Sequence, residues 1–269
     1  MVQKIYKALF ICLFCVVPAM AFAQTYVALQ DSSQLATQLR TAADFDLKFN
    51  RVSLAFSEEL RFNLYPTPEV ALAITHVGMD VNIVKGYFSG HAGYMLRMRT
   101  NKFSTQDVNK ILRHRVYFGL TEHIKLGTQR LFTLSLRERA VLNMRTDAPN
   151  LFEKQAYSWE MRYRLQLQYK FMSKPLSAYV WTELNHTCNA TEMQKYYNNG
   201  HNYISASRSA IGLKWKIDAT NTLNFYLRYD WLRDFDIDAN RAGTTVKSAY
   251  EIKDNNVILG VTYHFGWKR

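Results

Sequence analysis

Cysteine is almost absent from this chain. Three occur in 269 residues, and Cys12 and Cys15 both fall inside one apolar run near the start. Beyond that run only Cys188 is left, so no internal disulfide can hold the fold together. Long apolar stretches are missing too: after residue 17 none reaches the ~18 residues of a helical membrane span. The eleven glycines are dispersed, which excludes a phosphate-cradling nucleotide loop. After residue 23 there is no H-x-x-H or C-x-x-C spacing, and His123 and His201 stand alone, so nothing suggests a metal or another cofactor. No repeat, low-complexity tract or linker divides the chain. Acids are few, 22 against 34 lysines and arginines, for a formal net charge of +12.

The first residues have the form of an export signal. Lys4 and Lys7 precede the apolar run Ala8–Val17, and Ala21-Phe22-Ala23 is an A-x-A cleavage pattern. Residues 1–23 are therefore expected to be removed, taking two positive charges with them. The roughly 245 residues that follow suit one all-β domain. A basic exported protein meets anionic lipid head groups or lipopolysaccharide rather than nucleic acid.

What the chain does have is alternation. Tyr157, Trp159, Met161, Tyr163, Leu165, Leu167, Tyr169 and Phe171 form one face of a segment whose other face is Ser158, Glu160, Arg162, Arg164, Gln166, Gln168 and Lys170. A helix would scatter the two sets; a strand separates them. The apolar face is tall enough to cross a bilayer, which takes about 9–11 residues in a strand. Leu223–Trp231, Val257–Phe265, Val77–Ile83 and Leu54–Phe62 repeat the pattern, with Glu58 as a break in the last.

These segments predict an antiparallel up-and-down transmembrane β-barrel over residues 42–269, preceded by a polar lead-in at 24–41. Ten strands are expected, at 52–64, 71–83, 87–98, 111–121, 128–143, 154–171, 176–187, 202–216, 221–235 and 256–267. Twelve is the second count, using Phe45–Phe49 and Thr244–Ile252. Short turns at 84–86, 122–127, 172–175 and 217–220 then alternate with long connections at 99–110, 145–153, 188–201 and 236–255, the habit of bacterial outer-membrane barrels. In this topology Trp215, Phe265 and Trp267 fall at one rim, and Tyr157, Trp159, Tyr229 and Trp231 near the other, as two aromatic girdles.

Several short motifs point the same way: Glu59-Leu60-Arg61-Phe62, Trp159-Glu160-Met161-Arg162-Tyr163-Arg164-Leu165, Trp181-Thr182-Glu183-Leu184-Asn185, Ser207-Arg208 before Ile211-Gly212-Leu213, and Tyr263-His264-Phe265. Together they resemble a large family of outer-membrane β-barrels from Bacteroidetes-type Gram-negative bacteria, known only as a domain of unknown function. The resemblance implies fold and location, and brings no activity or catalytic residues. The tail Gly266-Trp267-Lys268-Arg269 departs from the usual terminal aromatic.

The inward faces should carry a charge network of Glu59, Arg61, Arg113, Arg115, Arg137, Glu160, Arg162, Arg164, Glu183, Arg208 and Arg228, with Lys214. A barrel this narrow is nearly filled by its own side chains. The leading expectation is a structural or transport-related, porin-like barrel of the cell outer membrane, its lumen narrow or plugged. Arginines outnumber acids, so a residual pathway would favour anions. The alternative is a membrane-embedded hydrolase acting on lipid or lipopolysaccharide, for which Ser89 with His91, or Asn185 with His186, are loose candidates; no catalytic residue is named. His76, His91, His114 and His264 equally suit lumen hydrogen bonds. The expected partners are outer-membrane lipid, the barrel-assembly machinery and lipopolysaccharide. The last would meet Arg99–Lys110 and the run Lys195, Tyr196, Tyr197, Asn198, Asn199 and Gly200.

Overall fold

The computed structural model describes residues 27–66, 68–100, 110–127, 129–145, 157–240 and 245–268; the expected leader lies outside them. The strands are β1 (Gln30–Phe49), β2 (Val52–Tyr65), β3 (Glu69–Val84), β4 (Phe88–Thr100), β5 (Lys110–Leu126), β6 (Phe132–Arg145), β7 (Tyr157–Lys170), β8 (Leu176–Thr187), β9 (Ile204–Lys216), β10 (Asn221–Ala239) and β11 (Val246–Lys268), with one short helix, α1 (Glu192–Tyr197), between β8 and β9. They close into an all-β barrel of eleven strands in sequence order.

The count falls between the two expected from sequence, and both differences have a physical reason. The alternation around Phe45 extends back to Gln30, so most of the stretch read as a lead-in belongs to β1. Its outward positions include Thr41 and Ala43, too small or polar to advertise an apolar face. At the other end, Thr244–Ile252 is no separate strand. From Val246 it is the first part of β11, which runs 23 residues, and much of the connection expected at 236–255 is instead the arms of one tall hairpin. An odd count makes the first and last strands run the same way. β1 and β11 pair in parallel, without a break from Gln30 opposite Tyr250 to Lys48 opposite Lys268, while every other neighbour is antiparallel. Bacterial single-chain barrels usually have an even number of strands; the count here is odd.

The connections sort by end. Residues 50–51, 85–87, 127–131, 171–175 and 217–220 link strands at one end, the turn end. Here Asn50 (φ 40°) and Gly86 (φ 79°) take the left-handed conformation that such tight links require. The opposite, loop end carries 101–109, 146–156 and 188–203, and also the shorter links 66–68 and 240–245.

Pairing partners share a face, so the register sorts every side chain. Phe118, Leu165, Val180, Ile211, Leu227 and Leu259 point outward and are exposed. The interior alternates large with absent side chains. The Tyr226 ring lies where a Cβ on Gly260 would be, and Tyr179 does the same to Gly212 on the next strand. Tyr117 spans both Gly78 and Gly93. Glycine lets these rings lie flat along the wall, a device that suits tightly curved sheets.

Above the loop-end edge of β9, the β10–β11 hairpin continues with no strand on its β9 side. Phe235 and Ile237 lie on the same face of β10 as Leu227 and Tyr229, with no bulge between them. Unlike those two they are buried, clustered with Ala190, Met193, Tyr203, Val246 and Ala249, and packed by Leu29 and Tyr197. The 188–203 connection folds against the hairpin. α1 starts in a capping box in which Thr191 and Gln194 satisfy each other's backbone N–H groups. Tyr197 also donates to the carbonyl of Val27, 2.8 Å away.

Candidate functional site: the arginine-lined lumen

The register sends every charge expected in the lumen to the inner face: Glu59 and Arg61 on β2, Arg113 and Arg115 on β5, Arg137 on β6, Glu160, Arg162 and Arg164 on β7, Glu183 on β8, Arg208 and Lys214 on β9, and Arg228 on β10. Arg40, Arg97, Arg139 and Asp230 join them. Arg40 was hidden in the supposed lead-in and Arg139 in a segment of weak alternation. Arg97 and Asp230 sit at even spacing from residues already read as inward, so strict parity finds them.

On one side of the lumen the arginines are gathered around carboxylates. Glu183, 2 % exposed, accepts from three strands at once: Arg137 Nη2 at 2.9 Å, Arg164 Nε at 2.9 Å and Arg208 Nη1 at 3.0 Å. Asp230, equally buried, takes the fork of Arg228 through two bonds of 2.5 Å, with Arg208 Nε 3.7 Å away. Glu59 holds Arg61 at 2.6 Å and also pairs with Arg40. Aromatic faces complete the cage: the Arg164 guanidinium lies 4.0 Å from the Trp181 ring centroid. Charges removed from water are tolerable only when paired and hydrogen-bonded in this way.

The opposite side is different. Arg97 on β4 stands directly across from Arg113 on β5, and Arg115 follows on the same face. Arg115 is 9 % exposed. Arg97 and Arg115 make no hydrogen bond or ion pair among the described residues, and the Nε of each is buried without an acceptor. Nearby, Glu160 is already engaged by Arg162 through Nε at 3.2 Å and Nη2 at 2.8 Å. Arg139, opposite Arg162, rests on the Tyr117 ring at 4.0 Å.

The family described as "Protein of unknown function (DUF2490)" matches residues 35–241, from within β1 to just past β10. This chain belongs to the DUF2490 family. No curated protein sequence matches it. Among solved structures it is similar to the outer-membrane expressed OmpT of Vibrio cholerae, with 12 % identity over 76 % of this chain and 61 % of that one, at a TM-score of 0.38. It is also similar to an anion-selective porin from Comamonas acidovorans, with 11 % identity over 81 % and 56 % of the two chains, at a TM-score of 0.34. The DUF2490 chain thus spans less than two thirds of either. At such values the likeness says nothing about what passes through this lumen.

The remaining candidates scatter over the DUF2490 barrel. Ser89 and His91 do share the inner face of β4, yet the His91 ring packs against Gly119 and Tyr117. Asn185 and His186 point to opposite faces of β8. His114, read as a lumen residue, lies on the outer face, bonded to Tyr94 Oη at 2.5 Å. His76 meets Tyr117 Oη at 2.6 Å, and His264 lies 3.5 Å from Asp46. His123 belongs to β5 rather than a turn and meets Ser135 at 2.8 Å. Among the described residues, no group of three or more His, Cys, Asp or Glu is placed to hold a metal ion. Cys188 is exposed, 3.7 Å from His186. In the basic-aromatic run, Lys195 is paired with Glu192, and Tyr197 is spent on packing. The girdle aromatics all face outward: Trp215, Phe265 and Trp267 toward the turn end, Tyr157 and Trp159 at the loop end. Tyr229 and Trp231 are level with the loop-end part of β9.

Proposed function

We propose that this barrel resides in the outer membrane of a Gram-negative, Bacteroidetes-type bacterium and serves there as a structural or narrow transport-related element. Its lumen is braced shut to large solutes by its own ion pairs. The observation that carries this reading is Glu183: one buried carboxylate on β8 tying the neighbouring strands β6, β7 and β9 together on the inner wall. Bonds of that kind cost much to open, because each guanidinium released would be left desolvated and unpaired. The outward belt of Phe118, Leu165, Ile211 and Leu227 supports placement in lipid, with the tryptophans and tyrosines at its two rims as head-group contacts. Outer-membrane lipid is then the partner of the belt, lipopolysaccharide that of the loop end, and the barrel-assembly machinery a partner in biogenesis.

The test is electrical. Purified barrel that shows a heat-dependent gel shift should give little steady conductance in planar bilayers. Large, reproducible channels from the native protein would overturn the braced lumen.

A further inference from the structure

In two places, arginines that face each other across the ladder share one acid of the barrel. Arg40 and Arg61, directly opposite each other, share Glu59; Arg137 and Arg164, likewise opposite, share Glu183. Arg97 is also directly opposite an arginine, Arg113, and makes no ion pair of its own among the described residues. Arg97 lies in electrostatic range of Arg61, Arg113, Arg115 and Arg162; Arg115 is in range of the acid Glu160, which is already held by Arg162. Taken together, Arg97, Arg115, Arg162 and Glu160 leave two guanidinium charges without an ion-paired counter-charge among the described residues. Burying such charges unpaired is costly, and the Nε atoms of Arg97 and Arg115 are shut off from solvent with nothing to donate to.

We propose that Arg97 and Arg115 form a binding site, inside the loop-end half of the lumen, for an oxyanion of the phosphate class. The inference rests on the closed barrel with an inward-facing charge set that underlies the proposed function. Two observations fix the ligand class. Guanidinium presents a planar fork of donors that suits phosphate or carboxylate oxygens. The excess is two charges, which a phosphate group near its dianionic state neutralises and a monocarboxylate does not. The site faces the lumen, so the phosphate is free or carried by a small soluble molecule; phosphates of bilayer lipids would meet the outer wall. Glu183 plays the corresponding part across the lumen with a carboxylate of the protein's own.

The experiment uses the full folded barrel in detergent and phosphate-free buffer, titrated calorimetrically with inorganic phosphate. Sodium chloride and acetate at matched ionic strength are the controls, and vesicles containing phosphatidic acid form a separate arm. The expected result is saturable phosphate binding, weaker for acetate, with Arg97→Gln and Arg115→Gln each losing about tenfold or more in affinity while keeping the heat-dependent gel shift. On the native protein, phosphate should also protect Arg97 and Arg115 from an arginine-specific dicarbonyl reagent, read by mass spectrometry. That measurement holds even if a variant fails to fold. Absent binding to the native barrel, unchanged affinity in both variants, or labelling of both arginines that phosphate does not slow would overturn the site. Binding to phosphatidic acid vesicles but not to free phosphate would overturn its place in the lumen. Conductance of the same preparation separates the two ideas: wide channels with phosphate binding intact sink the braced lumen alone, and low conductance without phosphate binding sinks the site alone.

Discussion

On β8 and β10 the buried carboxylates Glu183 and Asp230 collect arginines from their own and neighbouring strands, whereas Arg97 on β4 and Arg115 on β5 have no ion-pair partner among the described residues. Both regions are lumen wall, built from the same alternation. The difference shows that a high density of buried arginine is not one property. Where the acids are supplied by the chain, the charges cross-link strands and serve the fold. Where they are not, the charges strain the fold and are available to something else.

The comparison breaks most visibly at its two extremes. Glu183→Ala would leave Arg137, Arg164 and Arg208 buried around a void. Removing one member of a buried charge cluster costs on the order of 3–5 kcal/mol, so the urea midpoint of the folded barrel should fall steeply. A loss below about 1 kcal/mol would mean that water replaces the carboxylate, and that this side is not braced as described. Arg97→Gln should move the other way. In phosphate-free buffer it relieves a like-charge pair directly across the ladder, a gain of roughly 0.2–1 kcal/mol. If that variant is instead destabilised, Arg97 has an internal partner and the two sides are alike.

Much of this contrast is legible in the sequence, because period-two alternation reports which face a residue occupies whatever its neighbours are. Hence Arg61, Arg115, Glu183 and Arg208 can be placed inward without coordinates. Alternation does not report who meets whom. Glu183 touches Arg137 over a separation of 46 residues, a contact set by how strands 6 to 9 stagger. Strand count suffers from a related weakness: Thr41 and Ala43 give β1 too faint an outer face, and the parallel closure with β11 depends on an odd total that no local pattern encodes. Tyr197 reads as a surface residue since its packing partners, Phe235 and Ile237, lie in a hairpin extension whose outward face would otherwise be assigned to lipid.

A last measurement asks what burial itself adds, by comparing Glu183 with an acid bonded as richly but in open water. Asp218, at the β9–β10 turn, accepts from Asn221 Nδ2 at 2.6 Å, Thr220 N at 2.7 Å, Asn221 N at 2.8 Å and Thr220 Oγ1 at 2.9 Å. These bonds, the Asn221 side chain first among them, hold its carboxyl down from 3.8 to about 2. A carboxylate depressed in the folded state stabilises it fully above the unfolded value, and that contribution fades as pH falls through the folded one. The native chain and Asp218→Ala should therefore differ slightly in urea midpoint at neutral pH, and the gap should close between about pH 4 and pH 2. Solvent screens an exposed acid, so the neutral-pH gap should be the smallest of the three effects. A gap as wide as that of Glu183→Ala would show that bonding alone, without burial, sets the strength of the lumen cluster. A gap that ignores pH would show that the turn is held by the shape of Asp218 rather than by its charge.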